Sequence, residues 1–274
     1  MTSFAIPDPD FAAAVAAMDA GDTAALDTLL ARHPRLLTER AEAGDPGYFH
    51  HPRLLWFIAG NPIRQPRLPA NALDVLATLL RHARSNSVPD LIDQLTYTLE
   101  LVATGCAPRE CGLQIPLIDA LVDAGARLEG DLGSVLGHGE FAAARRMLEL
   151  GSPLSLLAAV SFAQWEDAMR LAATATSEQK TDALQVAAYL GKADAVEFLL
   201  QHGADPLARS TRLHSHSTPL HQAALSGSLS SVKALVQAGA PLDTRDAMWN
   251  GTPLGWARHG GHADVAAYLE AAQH

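Results

Sequence analysis

An internal repeat in the C-terminal third of the chain constrains the fold more than any other feature. Three segments superpose without gaps: LQVAAYLGKADAVEFLLQ from Leu184, LHQAALSGSLSSVKALVQ from Leu220 and LGWARHGGHADVAAYLEA from Leu254. Their offsets are 36 and 34 residues, and each contains a short helical run, a glycine and a second run with apolar residues at helical spacing. One helix pair of this size cannot bury enough apolar surface to offset its ordering entropy, so the repeat predicts stacked pairs.

The same template recurs upstream in weaker form. It fits LGSVLGHGEFAAARRMLELGS from Leu132 and AVAAMDAGDTAALDTLLARH from Ala14. Less regular pairs fill the rest of the chain, at 52–60 with 70–84, 90–104 with 112–124, and 155–162 with 164–174. Because no linker rich in Pro, Gly or Ser separates these pieces, we predict one continuous solenoid of about eight helix pairs over residues 1–274. Its repeats are irregular over 1–130 and more regular over 131–274.

The best preserved unit, STPLHQAALSGSLSSVKALVQAGAPLDTRD, resembles the ankyrin repeat almost position for position. NGTPLGWARHGGHADVAAYLEAA is similar to a terminal unit, and DALQVAAYLGKADAVEFLLQHGADPLARS keeps the second helix but lacks the Thr-Pro opening. The resemblance is strong over 179–274, moderate over 11–33 and 131–151, and poor elsewhere. It implies an all-α, ankyrin-type solenoid of helix-turn-helix units with irregular insertions in its N-terminal half. It also implies non-catalytic binding of a protein partner on the fingers and first helices.

The resemblance assigns a structural role to several residues of this unit. In the family, the threonine and histidine that match Thr218 and His221 hydrogen-bond around the turn that opens the first helix. Pro219 sits at the helix start, where its missing N–H costs little. Gly227 separates the two helices, and Gly239 closes the second, since glycine just beyond a helix end takes the left-handed conformation. The competing reading of His221, as part of an H-x-H-x4-H metal cluster, lacks a fourth ligand.

Residues that the fold does not need are candidates for recognition. His214 and His216 lie in an insertion of about three residues, in the finger that projects between units, and would point the same way on an extended finger. Trp249 lies at a finger position that is usually polar, and Trp256 lies one turn into a first helix. Tryptophan on a repeat surface is a typical binding anchor. Together with Arg245, these four residues form the predicted partner-binding set. Open alternatives for the two histidines are a solvated surface position, contact with a small ligand, and metal ligation. The alternative for Trp256 is packing against the adjacent unit.

A second hypothesis places function in the irregular N-terminal half. The segments GYFHHPRLLWF, NPIRQPR and TGCAPRECG, with a nearby helix, supply side chains for a pocket that binds a small anionic molecule. The candidates are His50, His51, Arg64, Tyr97, Arg109 and Glu110. Arginine forks onto carboxylate or phosphate, and long non-consensus insertions tend to carry function. On this hypothesis the protein is a small-molecule binder or an enzyme. The competing interpretation is a loop network in which Arg109 pairs with Glu110. Self-association through exposed apolar units is a third interpretation.

Charge and missing motifs narrow the function classes. The formal net charge of −10 argues against a nucleic-acid binder, which needs a basic face. Cys106 and Cys111 alone make neither a disulfide framework nor a metal site, and no phosphate loop, dinucleotide motif or zinc helix is present. The start MTSFAIPDPDF has no basic n-region, and LLWFIAG is too short to span a bilayer. We therefore expect a cytoplasmic, non-catalytic protein without cofactor or metal, bound to neither nucleic acid nor membrane.

Overall fold

The computed structural model describes residues 6–42, 50–60 and 67–273. Apart from one isolated backbone bridge between Arg40 and Arg53, the described residues form helices and turns but no strand. The all-α helical repeat class predicted from the sequence is confirmed. None of the helices in the described part is long and apolar enough to cross a membrane.

The helices follow one another as short pairs. The first elements are α1 (Pro9–Ala20), α2 (Thr23–Arg32), two 3-10 helices (Pro34–Leu37 and Leu54–Ala59), α3 (Ala72–Ser85), α4 (Leu91–Thr104), α5 (Cys106–Glu110) and α6 (Gln114–Asp123). The chain continues as α7 (Gly133–Gly137), α8 (Phe141–Glu149), α9 (Leu156–Ser161), α10 (Trp165–Ala172), α11 (Ser177–Tyr189), α12 (Ala193–Gln201), α13 (Pro219–Ser226), α14 (Leu229–Gln237), α15 (Pro253–His259) and α16 (Ala263–Ala272). The run at 52–60, expected to be a helix of the ordinary kind, is a 3-10 helix whose six side chains are all buried.

The chain divides into two compact units. Unit 1 comprises Met1–Leu128 with Arg145–Gly151, and unit 2 comprises Glu129–Ala144 with Ser152–His274. Fully buried side chains of unit 1 include Phe11, Leu26, Leu30, Leu76, Leu79, Leu95, Leu99 and Leu117. The continuity of a single solenoid over both units stays a prediction.

Unit 2 contains the regular repeats. Its first helices α9, α11, α13 and α15 pack on one another in that order, and its second helices α12, α14 and α16 do the same. The row of first helices meets through small side chains, since Ala187, Ala188, Ala223, Ala224 and Ala257 are fully or almost fully buried. Such side chains allow neighbouring backbones to approach closely, which gives the two rows a dense common core.

The first finger of unit 2 (residues 210–217) is held by two side chains of α11. Asp182 is 2% exposed, and its carboxylate accepts a hydrogen bond from Nε of Arg212 at 2.9 Å. Gln185 Nε2 donates to the carbonyl oxygen of Ser217 at 3.2 Å. Because both side chains come from the preceding repeat, the core of one repeat sets the position of the next finger.

His221 makes the corresponding contact one repeat later. The backbone N–H of Thr218 donates to its Nδ1 at 3.3 Å, and the Thr218 hydroxyl lies 2.7 Å from the same atom. Since Nδ1 accepts, the ring proton is on Nε2, which donates to the carbonyl oxygen of Gly251 at 3.1 Å. The ring is fully buried, which lowers its pKa and keeps the imidazole neutral. Both ring nitrogens are thus occupied by the fold.

The second finger (residues 245–251) is organised by the buried carboxylate of Asp246. It accepts the backbone N–H groups of Met248 at 2.8 Å, Trp249 at 2.6 Å and Gly251 at 2.7 Å, and the indole N–H of Trp256 at 3.0 Å. Burial by itself raises the pKa of Asp246, but the hydrogen bonds outweigh it and lower the pKa to about 2. Four donors therefore surround one ionised carboxylate.

We expect the Asp246→Asn variant to lose about 2 kcal/mol of unfolding free energy at neutral pH, because an amide cannot replace an ionised acceptor of four donors. The pKa of Asp246 drops from its ordinary value of 3.8 to about 2 on folding, so its contribution is present above pH 3.8 and is lost as the pH falls toward 2. The stability gap between wild type and variant should shrink over that range, as measured by urea unfolding. Asp243→Asn, which changes an exposed carboxylate nearby, is the control. A gap independent of pH would contradict this account.

Gly227 ends α13 with a positive φ of 75°. A Cβ atom at this position would lie 2.5 Å from Nδ1 of His262. That ring cannot move away freely, because its Nε2 lies 2.8 Å from the carbonyl oxygen of Leu225 and bonds to it. Glycine is therefore required here both by the backbone conformation and by the packing of the next repeat.

Gly227→Ala should lower the unfolding free energy by about 2–3 kcal/mol, from backbone strain and from the clash with His262. Gly239 supplies a matched control, because its φ is also positive, at 92°, but no atom lies within 4 Å of an added Cβ. Gly239→Ala should cost only about 1 kcal/mol. Urea denaturation followed by circular dichroism measures both, and equal losses would show that the contact with His262 does not matter.

Candidate functional site

A pocket of about 630 Å³ opens in unit 2 between the two fingers and the ends of three first helices. The fingers contribute His214, His216, Trp249 and Gly251. The helices contribute Tyr189 from α11, Gln222 and Leu225 from α13, and Gly255, Trp256 and His259 from α15. A concave site of this size, lined mainly by apolar and aromatic groups, fits a small ligand or a few side chains of a partner.

Aromatic rings form one wall of the pocket. His216 stacks on Trp256, with ring centroids 5.7 Å apart and planes at 29°. Trp249 contacts both rings, with its centroid 5.4 Å from that of His216 and 5.6 Å from that of Trp256. On the opposite flank, the rings of Tyr189 and His214 lie 4.4 Å apart. Each of these five rings contacts another, so this part of the lining is preorganised.

The two tryptophans differ in exposure. Trp256 is 7% exposed and its indole N–H is bound to Asp246, so it belongs to the repeat interface and to the pocket wall at once. Trp249 is 65% exposed, and so is the adjacent Met248. The second finger therefore presents a large apolar surface to solvent beside an apolar pocket, an arrangement typical of binding sites.

The two fingers are linked by their backbones. The N–H of Ala247 donates to the carbonyl oxygen of His216 at 2.7 Å. The first finger is not extended as expected, because Ser217 N–H donates to the His214 carbonyl oxygen at 3.2 Å and closes a turn with His214 at φ 51°. Even so, both imidazoles line the pocket. This turn follows from Gln185, whose side chain also reaches the His214 carbonyl oxygen at 3.3 Å.

The lining described for the pocket contains histidines but no lysine or arginine. Burial lowers the pKa of His214, and the neighbouring His216 and His138 lower it further, so its imidazole is neutral at pH 7. The pocket is thus bordered by neutral aromatic faces on the His214 side and by the ionised Asp246 behind Trp256.

Gln222 forms the floor of the pocket and is 2% exposed. Its Nε2 donates to the Ser217 hydroxyl oxygen at 2.7 Å, and that hydroxyl donates in turn to the His214 carbonyl oxygen at 3.2 Å. Its Oε1 is buried and has no hydrogen-bond partner among the residues that the structure describes. The floor therefore carries a carbonyl oxygen whose partial negative charge is not neutralised.

Four of the five residues predicted for partner binding converge here, namely His214, His216, Trp249 and Trp256. Arg245 does not line the pocket. Its guanidinium donates to the Asn250 carbonyl oxygen at 2.7 Å, and its own carbonyl oxygen accepts from Arg209 at 2.9 Å, so it braces the second finger. The Arg245 side chain remains exposed and lies along the backbone of its own finger.

Apart from Trp256, the helical side of the pocket was not predicted from the sequence, although the repeat register identifies it. Tyr189, Leu225 and His259 occupy the same position in three successive first helices, and all three line the pocket. Gln222 and Trp256 share another such position. Residues that face one groove recur at the repeat period, so aligning the units gives the lining.

Contacts are described for five residues of the anion-pocket hypothesis. His50 and His51 have ring centroids 3.7 Å apart, Tyr97 contacts Trp56 at 4.3 Å, and Arg109 lies 3.7 Å from the carboxylate of Glu110. Arg64 lies outside the described residues. The Arg109–Glu110 pair is exposed and contributes little to stability. That hypothesis stays a prediction, and in the described part of the chain no three His, Cys, Asp or Glu side chains are grouped to hold a metal ion.

Comparison with known proteins agrees with the repeat architecture. A family model described as ankyrin repeats (three copies) matches residues 156–246. The match includes α9 and α10, where the resemblance read from the sequence is poor, and it ends at Asp246, before the last helix pair.

Proteins of different kinds, by their names, are similar to part of this chain. Cyclin-dependent kinase 4 inhibitor B of Bos taurus is 44% identical over 82 residues, which are 30% of this chain and 60% of that protein. Cyclin-dependent kinase inhibitor 2A of Homo sapiens is 43% identical over 83 residues, which are 30% of this chain and 51% of that protein. Potassium channel KOR1 of Oryza sativa subsp. japonica is 40% identical over 83 residues, 30% of this chain and 9% of the channel. The chain thus spans at most 60% of these relatives.

Proposed function

We propose that unit 2 is a non-catalytic binding module that holds a protein partner against its fingers and first helices, with Trp249 as the anchor. The observation that carries the proposal is the convergence of His214, His216, Trp249 and Trp256 on one pocket. Trp249 is 65% exposed there, and a large exposed aromatic beside an apolar concavity is typical of an interface hot spot.

The rigidity of the two fingers supports the same function. Asp246 fixes the backbone of the second finger at three N–H groups, and the bond from Ala247 to His216 joins it to the first finger. Ordering a loop on binding costs free energy, and a loop that is already ordered avoids this cost. The site is therefore preorganised for recognition.

The relatives support a binding role without supplying a partner. An inhibitor of a cyclin-dependent kinase acts, by its name, on another protein, whereas KOR1 is a potassium channel. Proteins of such different kinds share about 83 residues of repeats with this chain, so the shared segment is not tied to one enzyme activity. The partner of this chain is a proposal based on the pocket alone.

The free thiols of Cys106 and Cys111 fit a reducing, cytoplasmic location.

The test is quantitative affinity capture with the immobilised full chain, its Trp249→Ala variant and its Trp165→Ala variant. Trp165 is a second exposed tryptophan, 38% accessible on α10 and outside the pocket, so it is the matched control. We expect Trp249→Ala to weaken binding of the captured partner about thirtyfold, the loss typical of a hot spot, and Trp165→Ala to leave it unchanged. Both substitutions remove exposed side chains, so circular dichroism should show equal folding. A partner whose binding ignores Trp249 would contradict the proposal.

A further inference from the structure

The aromatic wall of the pocket is electron-rich. The indole of Trp256 donates its N–H to the Asp246 carboxylate at 3.0 Å, and this charge-assisted bond polarises the ring toward its face. Indole faces attract cations through their quadrupole more strongly than other aromatic side chains do. Trp249 adds a second indole, which meets Trp256 edge to face at a centroid distance of 5.6 Å and is 65% exposed.

A negative charge lies directly behind the lining. A Cβ atom added at Gly251, which lines the pocket, would lie 2.9 Å from Oδ2 of Asp246. Because Gly251 has no side chain, the Asp246 carboxylate lies close behind this part of the pocket lining. The buried Oε1 of Gln222 in the floor, without a donor among the described residues, adds to the same negative potential.

Basic side chains near the pocket are engaged elsewhere. Arg212 of the first finger lies 2.6 Å from Asp131 and 2.8 Å from Asp182, and Arg258 of α15 pairs with Glu270. The guanidinium of Arg245 is bound to a backbone carbonyl oxygen. The described lining contains no lysine or arginine, and the whole chain carries a formal net charge of −10 with histidine counted as neutral, so the surrounding potential favours an incoming positive charge.

We infer that the pocket receives an arginine side chain of the partner protein, stacked on the exposed indole of Trp249 beside Trp256; this rests on the proposed function. Arginine fits better than lysine for two physical reasons. Its guanidinium is planar and stacks on aromatic faces, and it is more weakly hydrated than an ammonium, so less solvation is lost on entering a largely apolar pocket. The volume of about 630 Å³ also leaves space for residues beside the arginine.

The test uses N-acetyl-arginine methylamide and its neutral isostere N-acetyl-citrulline methylamide as probes of the ¹⁵N-labelled full chain. The chain contains four tryptophans, so four indole N–H signals are available, and those of Trp249 and Trp256 should shift with the arginine probe. Signals from Trp56 and Trp165 should stay in place. We expect the arginine probe to bind at least about tenfold more tightly than the citrulline probe, since only the guanidinium is charged.

Variants at Trp249 and Trp165, and probes with a lysine or leucine side chain, complete the test. Trp249→Ala should weaken the arginine probe about tenfold, Trp249→Phe should restore part of the affinity, and Trp165→Ala should have no effect. Equal binding of the arginine and citrulline probes would overturn the inference, as would tighter binding of the lysine or leucine analogue. Indole signals at the pocket that do not move would also overturn it.

The two proposals fail in different ways. If partner capture requires Trp249 but the arginine and citrulline probes bind equally, the arginine assignment is wrong and the binding module stands. If the arginine probe binds as expected but partner capture ignores Trp249, the pocket is a guanidinium receptor and the proposed partner site is wrong.

Discussion

The candidate site depends on the hydrogen bonds that the buried carboxylate of Asp246 accepts. This carboxylate gathers three backbone N–H groups of its own finger and the indole N–H of Trp256 in the next helix. Removing it from water is costly, and four donors offset that cost only when the finger has one conformation. The exposure of Trp249, the orientation of Trp256 and the negative potential behind the pocket all follow from this single ion.

The repeat architecture could be predicted from the sequence because it is periodic. Offsets of 36 and 34 residues locate the regular helix pairs of unit 2, and the boundaries of α12 to α16 lie close to the repeated segments. The helix α11 begins at Ser177, seven residues before its repeated segment. The repeat period is not visible in the sequence where packing is local and irregular. The buried run Leu54–Ala59 gave no sign of its 3-10 geometry, since six consecutive buried residues show no helical face.

The site was only partly predictable, for reasons of geometry. Tryptophan and histidine at positions that the fold does not require singled out His214, His216, Trp249 and Trp256, and these four side chains line one pocket. Their role in binding is a proposal. The hydrogen bond from Arg245 to the backbone carbonyl oxygen of Asn250 could not be predicted, because it depends on the conformation of the finger. The organising role of Asp246 was hidden too, since a carboxylate that caps its own loop looks like an ordinary surface charge in the sequence.

The residues at one repeat position of the first helices can change during evolution independently of the fold. Tyr189, Leu225 and His259 stand at equivalent places in successive repeats, reach the same pocket, and lie outside the fully buried core. Each can be replaced without disturbing the helix rows that carry it. Ligand preference and foldability are thereby held by separate sets of residues, so selection can act on one while the other stays constant.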